Sequence, residues 1–135
     1  MKAYLTRRYT FPASHRLHLD DASEAENQRV YGKCNNPHGH GHNYALEVTV
    51  SGQISAHGMV CDLGELDRFV NTEVVSRYDH ANLNTLPEFT KDVPTSENLC
   101  IAIYERLQKF TPAKLEKIRL EETRKNTFEM GNMSL

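Results

Sequence analysis

Between Gly32 and Val50 the chain reads GKCNNPHGHGHNYALEVTV, with one cysteine and three histidines inside the nine residues from Cys34 to His42. Imidazole nitrogens and a thiolate can bind metals, attack carbon or carry protons, so chemistry could be done here. On an extended strand alternate side chains share a face, so His40 and His42 point the same way with Cα atoms about 7 Å apart. That spacing lets two ring nitrogens converge on one ion at ~2.1 Å. Gly39 and Gly41 add no side chains between them and let the backbone bend. His38 has the same parity, but its Cα would stand about 13 Å from that of His42. His15, at the end of a first strand, is the better third ligand if the first two strands pair as a hairpin. Neutral imidazoles with an open fourth position are the donor set of a catalytic zinc. Two other readings stand beside it: a solvated histidine-rich turn, and a closed site in which Cys34 is the fourth ligand.

Other titratable groups invite the same weighing. Asp79 adjoins His80, and a carboxylate can orient an imidazole and raise its basicity for proton transfer. Adjacent Asp and His also arise by chance, and either could cap a helix end. Glu122 shares strand parity with Ile118 and Leu120, which points a carboxylate inward unless it faces solvent at the strand end. Inward, it is costly unless donors meet it. Cys61 and Cys100 read as core fillers.

The elements that must position these groups follow from periodicity. AYLTRRYTF reads as a strand, with Tyr9, Phe11, Ala13 and His15 sharing parity. The polar stretch 18–36 reads as a long irregular loop. Tyr44, Leu46, Val48 and Val50 alternate with polar residues as a second strand. DLGELDRFVNTEVVSRY predicts a helix, opened by Asp62 and Glu65 in a capping-box pattern, with Leu63, Leu66, Phe69, Val70 and Val74 on one side. A second helix starts at PTSEN with Thr95 as N-cap, carries Leu99, Ile103, Leu107 and Phe110, and stops at Pro112. LEKIRLEET and TFEM supply the last two strands, joined by a turn at Lys125–Asn126. The order, ββααββ, predicts an α+β fold: a four-stranded antiparallel sheet with two helices on one face. Its two open edges call for cover or for another subunit.

Length and charge bound the rest. The 135 residues suit a single domain, 1–135. With 16 basic and 18 acidic side chains the formal net charge is −2, which argues against broad binding to nucleic acid. No apolar run approaches the ~20 residues needed to span a membrane, and MKAYLTRRYTF lacks a signal-peptide core. Three cysteines without a C-x-x-C pair suit a reducing compartment, so the cytoplasm is expected.

In order along the chain, FPASHRL, GKCNNPHGHGHNY, MVCDLGEL, YDHANLN, PTSEN and EET resemble the 6-pyruvoyltetrahydropterin synthases and their bacterial relatives, the 6-carboxytetrahydropterin synthases. The resemblance covers nearly the whole chain. It implies a tunnelling fold, in which the sheets of several subunits join into a barrel and two trimers stack as a hexamer. It implies Zn2+ held by His15, His40 and His42, with Cys34 as the proton-abstracting base and Asp79 with His80 as a second proton-handling pair. Glu122 would anchor the pterin, and Thr95, Ser96 and Glu97 would help bind it, across a subunit boundary. The implied reaction is a zinc-dependent lyase step on 7,8-dihydroneopterin triphosphate, giving 6-pyruvoyltetrahydropterin for tetrahydrobiopterin biosynthesis with loss of triphosphate. The alternative is 6-carboxytetrahydropterin synthase action on the same substrate, which also releases acetaldehyde and serves queuosine biosynthesis. Five residues separate Cys34 from His40, a spacing that resembles the pyruvoyl type. Rivals from other classes are a non-catalytic pterin or metal binder, and a zinc hydrolase using Glu97 or Glu122 as base. Which basic residues hold the triphosphate stays open; Arg7, Arg16, Arg29 and Lys33 lie near in sequence.

Overall fold

The computed structural model describes residues 1–131. Two long strands, β1 (Lys2–His15) and β2 (His40–Gln53), pair antiparallel throughout. Their register sets Phe11 opposite Tyr44, Ala13 opposite His42 and His15 opposite His40. Residues that oppose one another share a face, so the parity that buries Phe11 and Tyr44 carries His15, His40 and His42 to the same side. The β2 strand reaches back to His40, which the alternation from Tyr44 onward left conditional.

The sheet has five strands rather than four, in the order β3-β1-β2-β4-β5. The added member, β3 (Ala81–Asn82), lies parallel to β1 beside Ala13 and Ser14. Two residues cannot display an alternation, so no strand is legible there in the sequence. On the other side β4 (Lys114–Thr123) pairs antiparallel with β2, and β5 (Asn126–Gly131) with β4.

The polar stretch 18–36 is not all loop. It holds α1 (Glu24–Tyr31), capped by the Ser23 hydroxyl and ended by Gly32 at φ 55, followed by a 3-10 turn at Gly32–Asn35. Caps and acidic first-turn residues carry this helix, since of its residues only Asn27 is buried. The next helical run is α2 (Leu63–Val70), a π-helical segment (Asn71–Val75) and the short α3 (Ser76–Tyr78). Asp62 caps it, accepting from the Gly64 N–H. α4 (Ser96–Leu107) begins where predicted, with the Thr95 hydroxyl accepting from the Asn98 N–H.

The helices cover one face of the sheet. Phe11, Tyr44, Leu46, Ile118 and Leu120 from the strands meet Leu66, Val70, Val74, Leu99, Ile103 and Leu107. Leu63, expected on the apolar stripe, is instead exposed at the start of α2. The uncovered face is laced by ion pairs, Arg8 and Arg119 both reaching Glu47, and by a Thr6–Thr49 hydroxyl pair. Among the described residues no helix is long and apolar enough to cross a membrane.

Candidate active site

The site forms where β1 ends and β2 begins. Gly39 takes a φ of 80, and a Cβ there would stand 3.2 Å from the His15 carbonyl oxygen. Only glycine allows that close turn, which delivers His40 and His42 alongside His15. A second clip fixes the preceding turn: the Leu17 N–H donates to the Cys34 carbonyl at 2.7 Å, and the Asn35 amide donates back to the Leu17 carbonyl at 2.7 Å. Asn35 also donates to His18 Nδ1 at 2.9 Å, and Arg16 Nε donates to the Asn35 carbonyl at 3.2 Å. Cys34 is thereby held against the end of β1.

His15 is fully buried, and its Nδ1–H donates to the Pro94 carbonyl at 2.9 Å. That bond fixes the tautomer and leaves Nε2 with a free lone pair, the usual arrangement behind a metal-binding imidazole. Nε2 of His15 lies 3.2 Å from Nε2 of His42. Two ligands on one tetrahedral ion at ~2.1 Å stand about 3.4 Å apart, so the pair matches the donor spacing zinc requires. The Cys34 sulfur joins them, the three ligand atoms lying within 4.8 Å of one another.

His40 falls outside that tight group of three. Its ring lies against the edge of His42, with ring centres 4.8 Å apart, and it is exposed at the mouth of the strand. His15, Cys34 and His42 thus form a group among the described residues that could hold a metal ion, beside the His15, His40 and His42 set that the resemblance implies.

Burial pushes both His15 and His42 below the ordinary imidazole range, which keeps them neutral and able to bind a cation. Burial, and then the charge of Glu122, push the Cys34 thiol up. Glu122 points inward as its parity predicts: it lies 3.8 Å from His42 and accepts a hydrogen bond from the buried Ser96 hydroxyl. Tyr44, on the same face of β2 as His42, is fully buried. Its hydroxyl reaches to 3.5 Å of His15 Nδ1, a polar handle that a buried tyrosine usually employs.

The remaining predicted residues are less concentrated. Asp79 and His80 pair at 3.1 Å but are largely exposed. His80 has a φ of 57, a left-handed conformation, and its N–H donates to the Pro12 carbonyl at 2.6 Å. His80 borders a cleft of about 300 Å3 together with Ser14, Gly41, His42 and Asn43. Thr95 is occupied as a helix cap, and Glu97 is exposed on the first turn of α4. Asn35 and the Pro94 carbonyl carried no signal in the sequence, because their roles arise only from contacts between distant segments.

The sequence profile of the family described as "6-pyruvoyl tetrahydropterin synthase" matches residues 4–132. The chain is similar to the 6-pyruvoyl tetrahydrobiopterin synthase of Drosophila melanogaster, 48% identical over 128 residues that cover 92% of this chain and 76% of that protein. It is 43% identical over 128 residues to the protein of the same name from Homo sapiens, covering 93% of this chain and 88% of that one. Its fold superposes on the solved structure of Caenorhabditis elegans 6-pyruvoyl tetrahydropterin synthase with a TM-score of 0.90 and 39% identity, covering 98% of this chain and 97% of that one.

Proposed function

The chain belongs to the 6-pyruvoyl tetrahydropterin synthase family and is a lyase of that type, and on this premise we propose that it converts 7,8-dihydroneopterin triphosphate to 6-pyruvoyltetrahydropterin with loss of triphosphate. The observation that carries the proposal is the pair of imidazole nitrogens 3.2 Å apart, on His15 and His42, with the Cys34 thiol in the same cluster.

His15 and His42 are the first two ligands of a zinc ion in this reading. His40 is the third, supported by its place opposite His15 in the register and its ring against His42. A bound zinc ion supplies Lewis-acid polarisation of the side-chain hydroxyls and so acidifies the neighbouring C–H bonds. Cys34 removes the proton from that carbon. Its thiol lies in a site where burial and Glu122 favour the neutral form, so it acts as base only beside positive charge. His80, steadied by Asp79, returns protons on the other side of the substrate. Glu122 accepts two hydrogen bonds from the amino and ring N–H groups of the pterin, and Ser96 holds its carboxylate in place. Thr95 and Glu97 flank that anchor at the start of α4.

The inclusion of Cys34 in the tight group of three favours one second reading, in which the sulfur ligates the ion directly and closes the site. The test of the reaction itself is product identification by mass spectrometry after incubation with 7,8-dihydroneopterin triphosphate and zinc. The expected products are 6-pyruvoyltetrahydropterin and inorganic triphosphate. Acetaldehyde with a 6-carboxy product transfers the chain to the alternative reaction, and unconsumed substrate sinks both.

A further inference from the structure

A cavity of about 700 Å3, within the range of small-molecule sites, opens beside the turn that carries Cys34. Its walls include Arg16 and His18 from the exit of β1, Lys33, Asn35 and Asn36 from both sides of Cys34, and His40. We propose that this cavity seats the triphosphate chain of the substrate, with Arg16 and Lys33 as its cationic contacts. The inference rests on the substrate reading given above.

A polyphosphate needs cations that are not already neutralised by the protein. Of the four basic residues near in sequence, Arg7 forks onto Asp67 at 3.0 and 2.7 Å, and Arg29 pairs with Glu26 at 3.7 Å. Arg16 and Lys33 form no ion pair among the described residues. Arg16 is also held ready. Its N–H donates to the Asn84 side chain at 2.7 Å, and its carbonyl accepts from the Asn84 amide at 2.8 Å. Its Nε is occupied by the Asn35 carbonyl, which leaves both terminal amino groups of the guanidinium for a bidentate grip on an anion. Lys33 is exposed and adds a mobile point charge one residue from Cys34. The lining has one carboxylate, Glu24, exposed in the first turn of α1, and it limits how far a polyanion extends in that direction. Arg16 and the Cys34 turn are cross-tied through Asn35, so charge bound at the cavity is coupled to the placement of the thiol. Remote binding energy of this sort positions a reacting group.

The test uses inorganic tripolyphosphate as the probe and calorimetry on the full chain, comparing the parent with Arg16→Gln, Lys33→Gln and the double variant. The double variant is expected to weaken tripolyphosphate binding on the order of 100-fold, about tenfold for each lost charge-assisted contact. Neopterin, which lacks phosphate, should bind parent and variants alike. In turnover assays the variants should raise KM for the triphosphate substrate more than they lower kcat. Unchanged tripolyphosphate affinity in the double variant, or no binding by the parent, overturns the assignment. Because the probe is read without turnover, a parent that binds it through Arg16 and Lys33 yet leaves the pterin substrate intact sinks the substrate reading and keeps the anion site.

Discussion

Cys34 is the residue on which the two readings of the cluster divide. A sulfur within 4.8 Å of two imidazole nitrogens can be a ligand or a base, and the distance alone admits both. As a base, its loss removes a proton-transfer step and leaves the imidazoles intact. Cys34→Ala is then expected to retain zinc at the parent's stoichiometry while turnover falls on the order of 10²–10⁴-fold. His42→Ala, by contrast, should lose the metal. Elemental analysis of the dialysed variants decides it: a Cys34→Ala protein as metal-poor as His42→Ala makes the sulfur a ligand. At this scale the sequence was informative for His15 and His42, which strand alternation and hairpin pairing bring to one face. It set His40 beside His42 as a ligand pair and kept Cys34 as a possible fourth ligand, while the distances of ring and thiol from the other two imidazoles turn on orientations set by Gly39 and by the Leu17–Cys34 clip.

Elements were legible where burial imposed a period. The long strands and α4 followed from alternation and from the 3.6-residue stripe, and Thr95 marked the start of α4. α1 escaped because it packs no apolar stripe, and β3 because two residues show no period. A further feature joins elements that the sequence could only list separately. Glu88, in the 3-10 turn Pro87–Phe89, accepts hydrogen bonds from Arg77 at 2.8 Å and the Tyr78 hydroxyl at 2.6 Å, and pairs with Arg106 of α4 at 3.7 Å. The Arg77 guanidinium chiefly holds the Glu88 carboxyl down at about 2, against an ordinary value near 4.5. A depressed carboxyl contributes stability that is complete above about pH 4.5 and fades as the pH falls toward 2. Glu88→Gln should therefore cost about 1–2 kcal/mol at neutral pH, after allowance for solvent screening. The gap between variant and parent should close across that acid window. Denaturant melts at pH 7 and pH 3 measure it, and a gap that is equal at both rules out the ionic origin.

At the scale of the whole molecule the sheet remains open. β3 pairs with β1 only at Ala13 and Ser14, with His80 bonded to Pro12 just before it, so among the described residues no strand pairs with β1 from Lys2 to Phe11 on that side, and none pairs with the outer edge of β5. Unpaired edges of this length are usually paired or blocked. The face turned from the helices is hydrophilic, with Arg8, Glu47, Arg119 and Glu129 in a continuous set of ion pairs. A polar face and two free edges suit sheets joined edge to edge around a wet interior, which is the barrel of joined sheets and hexamer of two trimers that the family resemblance implies. The exposed Asp79–His80 pair and Glu97 then gain surroundings that one chain does not give them. Light scattering should return a mass several times the 15.5 kDa chain, in multiples of three. Dilution that lowers this mass should lower activity per chain in step, since a site completed across a boundary fails when the boundary opens. A fully active species of one-chain mass would break the link between assembly and catalysis, while leaving the His15–Cys34–His42 cluster to be judged by its own metal content.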